Sequence, residues 1–220
     1  MLLLHDKNKR GLKVTIKDVV TKRGIDFVFH FTQLQNLDSI LNRGLLPPSQ
    51  CEESRIVPLV NDQERLDNTD SICLTIGFPN YMLFYLLRDT FKEKEWAVIG
   101  LKPDVLWEKD VAFCRENAAK AEVTAIPLQQ RKGVDALEAM FDDYNGKARS
   151  SLGIPDHFPT YPQAEVLVFD KIEPEYIVGV TFDKYANFKQ FQGKNYQHRY
   201  QILYEKDYYW PRCDHKHWKK

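Results

Sequence analysis

The segment Gln163-Ala164-Glu165-Val166-Leu167-Val168 constrains this chain more than any other, because it sets a carboxylate at the mouth of an apolar strand, two residues after an amide. Strands disfavour glutamate, and burying its charge without partners is costly. A fold that accepts this segment either leaves Glu165 on an edge strand facing water, the ordinary outcome, or builds partners around it. A second unusual strand lies upstream. In Ile25-Asp26-Phe27-Val28-Phe29-His30-Phe31-Thr32 the phenylalanines alternate with other residues. Period two predicts a strand whose Phe face meets the core, with His30 and Thr32 sharing the opposite face. A lone strand histidine is usually structural, so on pattern alone His30 carries both a packing and a ligand reading.

The rest of the chain mixes both periods. Leu34, Leu37, Ile40, Leu41 and Leu45 form a helical stripe, predicting a helix over 33–43 with Thr32 or Asn36 as its cap and Gly44 at its end. Residues 46–70 read as a long polar loop. Strands are expected at 71–76, 96–101, 111–114, 164–169, 177–182 and 199–204. A buried helix is expected over 80–91, a helical start at 116–120 and a helix over 133–144, with a Gly-, Ser- and Pro-rich loop at 145–162. Strands interrupted irregularly by helices indicate an α+β domain rather than a βαβ succession. No linker divides the chain, which reads as one domain over 1–220 with an N-terminal extension (1–24) and a solvated basic tail (211–220).

Composition excludes several classes. With 43% hydrophobic and 28% charged residues the chain supports a core and is not a disordered tract. It has no run of about eighteen apolar residues, so no membrane span is expected. The four cysteines carry no CxxC pair and suit reduced thiols in the cytoplasm. A formal net charge of zero argues against a nonspecific nucleic-acid coat, though not against a local basic groove. Neither a GxxxxGK[ST] loop, a GxGxxG turn nor a GxSxG elbow occurs. Cys213, His215 and His217 cluster near the C-terminus, but no fourth ligand or paired half-site accompanies them, and no metal is expected.

Taken in order, a set of segments resembles the DarT family of DNA ADP-ribosyltransferase toxins over about residues 26 to 210. Phe29-His30-Phe31-Thr32 with Asn36-Leu37, Ile40 and Gly44-Leu45-Leu46 resembles the family's opening strand and helix. Phe78-Pro79-Asn80-Tyr81-Met82-Leu83-Phe84-Tyr85 resembles its central segment, and Phe113-Cys114-Arg115-Glu116-Asn117-Ala118 the start of its substrate-facing loops. Gln163 to Val168 resembles the catalytic strand, and Lys206-Asp207-Tyr208-Tyr209-Trp210 the C-terminus.

The resemblance implies an ADP-ribosyltransferase-like split β-sheet core with surrounding helices, and NAD-dependent transfer of ADP-ribose to a base in single-stranded DNA. Breaking the nicotinamide–ribose bond builds positive charge on the sugar, as in glycosidases. A fixed carboxylate stabilises that charge, and Glu165 is the implied catalytic residue. His30 would hold the adenosine-side ribose, with Thr32 and Asn117 lining the NAD site. Arg65 matches the family's catalytic arginine, for pyrophosphate or acceptor base, with Arg55 as a competing cofactor contact. Gln163 would read the acceptor base. Residues 120–162 would cover NAD and receive the DNA. There Arg131, Lys132, Lys147 and Arg149 supply positive charge for phosphates, and Tyr144 and Tyr161 offer rings for base stacking. Tyr161-Pro162 stands where thymine-modifying relatives tend to place a basic residue, which favours guanine over thymine as acceptor. The resemblance further implies a cytoplasmic toxin of a toxin–antitoxin or anti-phage system, with a macrodomain antitoxin as partner. Two alternatives stay open: the same fold acting on RNA or protein, and a catalytically silent nucleic-acid-binding module.

Overall fold

The computed structural model describes residues 13–54 and 69–219. Its strands are β1 (Val28–Gln33), β2 (Ile72–Ile76), β3 (Trp96–Leu101), β4 (Val111–Cys114), β5 (Glu165–Val168), β6 (Ile177–Phe182) and β7 (Gln201–Tyr204). They form one sheet in the order β4-β5-β2-β1-β3-β6-β7. Neighbours are antiparallel except β6 and β7, which are parallel.

The sheet is split at its centre. β1 pairs with β3 from Val28 through Gln33, but with β2 only through Val28↔Ile76 and Phe29↔Thr75. Beyond Phe29 the two strands part, and the sheet opens as a fork whose vertex is His30. Both faces of β1 are covered. Val28 joins the main core with Leu74, Ile99, Val166 and Phe182. Phe29 joins a second cluster on the other face with Phe84, Trp96, Val98 and Tyr209, and Phe31 packs against it. The expected Phe face therefore holds for Phe29 and Phe31. Phe27 precedes the strand and is 40% exposed.

The helices depart from expectation in instructive ways. Residues 1–24 read as an extension, yet α1 (Ile16–Arg23) buries Val19 and Val20 in the core. It opens on a Thr15–Asp18 capping box and closes on Gly24 at φ 64°. Two buried positions in eight residues leave too little periodicity to detect. A 3₁₀ turn, Leu34–Asn36, precedes α2 (Leu37–Arg43), and neither expected cap bonds its N-terminus. Instead Asn36 Nδ2 donates to Thr32 Oγ1 at 3.0 Å. Gly44 (φ 88°) is required for packing as well as for its turn, since a Cβ there would lie 2.1 Å from the Ile172 carbonyl oxygen. Pro48 begins α3 (Pro48–Glu53) inside the stretch read as loop, at the helix position that needs no amide hydrogen.

α4 (Tyr81–Thr90) buries Phe84 and Leu87 but exposes Tyr85 and Leu86, so it is one-faced rather than buried all round. The helical start expected at 116–120 is a turn, followed by the single-turn α6 (Ala121–Thr124), while α5 (Val105–Glu108) leads into β4. α7 (Val134–Ala139) is shorter than expected; its core contacts continue into Met140 and Phe141 after the helix ends. α8 (Tyr185–Gln192), not foreseen, packs on β6 and β7. Within the C-terminal residues, expected to be a solvated tail, Arg212 and Asp214 are instead buried (3% and 1% exposed) and paired with each other, while Lys216, His217 and Lys219 are exposed. Among the described residues no helix is long and apolar enough to cross a membrane.

Candidate active site

Glu165 opens β5, which lies between β4 and β2, with Cys114 level with Glu165 on β4. The edge-strand outcome is thus excluded, and the side chain is 6% exposed. Among the described residues its carboxylate accepts from three N–H groups on two segments. Asn80 Nδ2 and Asn117 Nδ2 reach Oε1 at 3.4 and 3.2 Å, and the Ala118 backbone N–H reaches Oε2 at 2.9 Å. The two asparagines work alike. Asn80 caps α4, its Oδ1 accepting from Leu83 N at 3.1 Å. Asn117 Oδ1 accepts from Ala119 N at 2.9 Å in the turn after β4. A backbone N–H can only donate, so each amide must present its NH₂ to the carboxylate. An acceptor-only, ionised carboxylate is what this donor set suits.

His30 occupies the fork. By strand alternation it shares a face with Val28, whereas Glu165 shares one with Cys114 and Leu167. His30 Nδ1 lies 3.0 Å from the Cys73 carbonyl oxygen of β2, so the ring bridges the gap that the β1–β2 ladder leaves. A carbonyl only accepts, so Nδ1 carries the hydrogen. Burial lowers the imidazole pKa below its ordinary 6.5, and the Cys73 bond opposes this only in part. His30 is therefore neutral at pH 7, with Nε2 as a hydrogen-bond acceptor.

The remaining expected site residues divide. Arg55 and Arg65 lie outside the described residues. Thr32 is buried and its hydroxyl oxygen accepts from Asn36. Asn117 touches Glu165, and Asn80, to which sequence reasoning gave no site role, does the same; its one local signal was its cap position ahead of an apolar run. Gln163 Nε2 donates to Tyr161 Oη at 2.8 Å and approaches Met82 Sδ at 3.7 Å. Tyr161 and Tyr144 stack on each other at 4.5 Å, so each already has one face covered. Asn145-Gly146 forms the two-residue turn that brings Tyr144 and Lys147 together, with both inner residues at positive φ. Lys147 Nζ sits 5.5 Å from the Trp218 ring centre.

The basic residues expected to grip phosphates are largely committed elsewhere. Arg149 donates to the carbonyl oxygens of Pro155, Asp156 and Phe158 and to Thr160 Oγ1, closing its own loop. Arg131 is buried against Cys114, and Lys132 pairs with Asp110. A hollow of about 740 Å³ beside Arg149 is lined by Asp142, Asp143 and Asp156. It includes neither His30 nor Glu165, and its acids oppose a pyrophosphate. Cys213, His215 and His217 do not assemble a metal-ligand group, and none occurs among the described residues.

Comparison with known proteins yields a family match over most of the chain and a likeness of fold. A family model described as DarT, ssDNA thymidine ADP-ribosyltransferase, matches residues 29–210. Thermus sp. 2.9 DarT in complex with ADP-ribosylated ssDNA aligns at TM-score 0.52 and 16% identity, over 85% of this chain and 97% of that one. At that identity the likeness is one of fold. The same Thermus protein in complex with NAD+ matches at TM-score 0.49 and 16% identity, over 84% of this chain and 98% of that one. Thermosipho africanus DarTG in complex with ADP-ribose matches at TM-score 0.49 and 17% identity, over 75% of this chain. This chain spans 46% of the Thermosipho chain's length. No curated protein matches it in a sequence comparison.

Proposed function

We propose that this chain, which belongs to the DarT family of ssDNA ADP-ribosyltransferases, takes NAD as its donor and divides the labour of transfer among the residues of its site. Glu165 is the catalytic carboxylate. The observation that carries this is its donor set: a carboxylate in an inner strand, oriented by Asn80, Asn117 and the Ala118 N–H. An apolar residue would suit that strand better if packing were the only demand. Held in place, Glu165 stabilises the positive charge that develops on the ribose as nicotinamide leaves. It also accepts the proton released by the attacking base nitrogen. Asn80 and Asn117 position it, and Thr32 braces the turn before α2.

His30 offers Nε2 as acceptor to a hydroxyl of the adenosine-side ribose, a role that a neutral ring with Nδ1 tied to Cys73 suits. Arg65, with Arg55 as its competitor, is assigned to the pyrophosphate or the acceptor base on the resemblance alone. Gln163 faces the acceptor base. Biologically we assign the chain to a toxin–antitoxin or anti-phage system, with a macrodomain antitoxin that reverses or blocks the reaction.

The acceptor base is tested directly. Single-stranded oligonucleotides treated with the protein and NAD are digested to nucleosides, and the ADP-ribosylated nucleoside is identified. Tyr161-Pro162 ahead of Gln163 favours guanine, whereas the family's description names thymidine. Modified guanosine bears out the first, modified thymidine the second. Label on RNA or protein with none on DNA overturns the assignment.

A further inference from the structure

The C-terminal residues lie beyond the stretch matched by the family model, which ends at residue 210, yet they are bound to the segment that delivers the catalytic strand. Arg212 and Asp214 form a buried two-pronged pair, with Nε to Oδ1 at 2.7 Å and an Nη2 bond to Oδ2 at 2.6 Å. Two further guanidinium hydrogens go to the carbonyl oxygens of Pro159 (2.8 Å) and Thr160 (3.0 Å). Burial pushes the Asp214 carboxyl up, but its bonds from Arg212 and Trp218 outweigh this and leave it below the usual range. Trp218 Nε1 donates to Asp214 Oδ2 at 2.7 Å. Its ring meets Tyr161 edge-on at 4.9 Å, while Tyr144 stacks on Tyr161. Tyr161 Oη accepts from Gln163 Nε2, and the turn Tyr161–Ala164, with Pro162 inside it, leads into Glu165.

We propose that Trp218 is a positioning residue for DNA modification: fixed by Asp214, its ring holds Tyr161, whose hydroxyl fixes the rotamer of Gln163 so that the amide faces the acceptor base. A side-chain amide with several torsions loses its freedom on docking, and holding it beforehand reduces that cost. The sharing of donors has a chemical consequence. With its Nε2 hydrogens directed to Tyr161 Oη and, more weakly, to Met82 Sδ, the amide keeps its Oε1 acceptor for a base edge. Arg212 and Asp214 fix the backbone of the same loop, and Trp218 passes that order to the side chains.

The inference rests on the functional reading above, and the test separates the two. Transfer to a single-stranded oligonucleotide is measured for the full chain and for Trp218→Ala, Tyr161→Phe and Gln163→Ala, alone and paired with Gln163→Ala, together with NAD affinity and thermal midpoint. Trp218→Ala and Tyr161→Phe are each expected to lower kcat/KM for DNA roughly three- to tenfold, with NAD affinity unchanged, and to add nothing further in the Gln163→Ala background. Tyr161→Phe deletes only the hydroxyl, so it decides the matter if Trp218→Ala does not fold. Effects that multiply with Gln163→Ala, or no effect of Tyr161→Phe, overturn the proposal. Absence of DNA labelling by the unaltered chain overturns the functional reading instead.

Discussion

The two proposed site residues His30 and Glu165 are held by opposite means. His30 is a neutral ring kept in the fork by burial and a backbone carbonyl. Glu165 is an acid whose oxygens are met by N–H groups from the start of α4 and from the turn after β4. The difference follows from what each group must carry. A half-buried neutral base needs only one bond to set its tautomer, whereas a buried charge needs several donors. The acid's geometry therefore depends on packing between distant segments, and the histidine's on the local parting of β1 and β2.

That contrast orders the expected effects. The largest is Glu165→Ala, which should slow DNA modification by about two to three orders of magnitude while NAD binding changes little. Steady-state kinetics on a single-stranded oligonucleotide, alongside calorimetric NAD titration, measures both. Asn117→Ala comes next. It removes one donor and loosens the carboxylate, and a fall in kcat of about tenfold is expected without change in NAD affinity. Asn80→Ala should act more weakly on rate, since its bond is the longer one at 3.4 Å, but it also deletes the cap of α4. Denaturant unfolding should show about 1 kcal/mol less stability.

His30→Ala should act on the other side of the comparison, raising KM for NAD by roughly three- to tenfold through loss of one hydrogen bond, with a smaller change in kcat. A change confined to kcat would break the contrast. The smallest effect concerns pH. The folded His30 has a pKa below 6.5, so between that value and 6.5 the unfolded chain binds more protons than the folded one. Its contribution to stability falls as pH drops below 6.5 and is flat above it. Unfolding midpoints of the native chain should fall with acidification below 6.5 more steeply than those of His30→Gln.

Much of the framework was legible in the sequence because it depends on local pattern. β3, β4 and β6 follow from short apolar or β-branched runs, and His30 and Glu165 stood out as polar exceptions within such runs. The cradle around Glu165 was not legible as a set, since its donors lie 85, 48 and 47 residues away in sequence. Asn80 and Asn117 each lay in a segment resembling the family, and Asn80 added only an N-cap position, neither of which ties them to Glu165. Charged residues misled for a similar reason. Arg149, Arg212 and Asp214 look like solvated charge in sequence, and only the fold supplies the carbonyls and counter-charge that bring them into the structure.

On the proposed reading, the oriented carboxylate at position 165 performs the transfer. Intact-mass analysis of a single-stranded oligonucleotide incubated with NAD tests it most directly, comparing the native chain with Glu165→Gln at matched NAD occupancy. An ADP-ribosyl adduct is expected with the native chain and, with the amide, a rate lower by about two orders of magnitude or more. An adduct forming at the native rate with Glu165→Gln would contradict it.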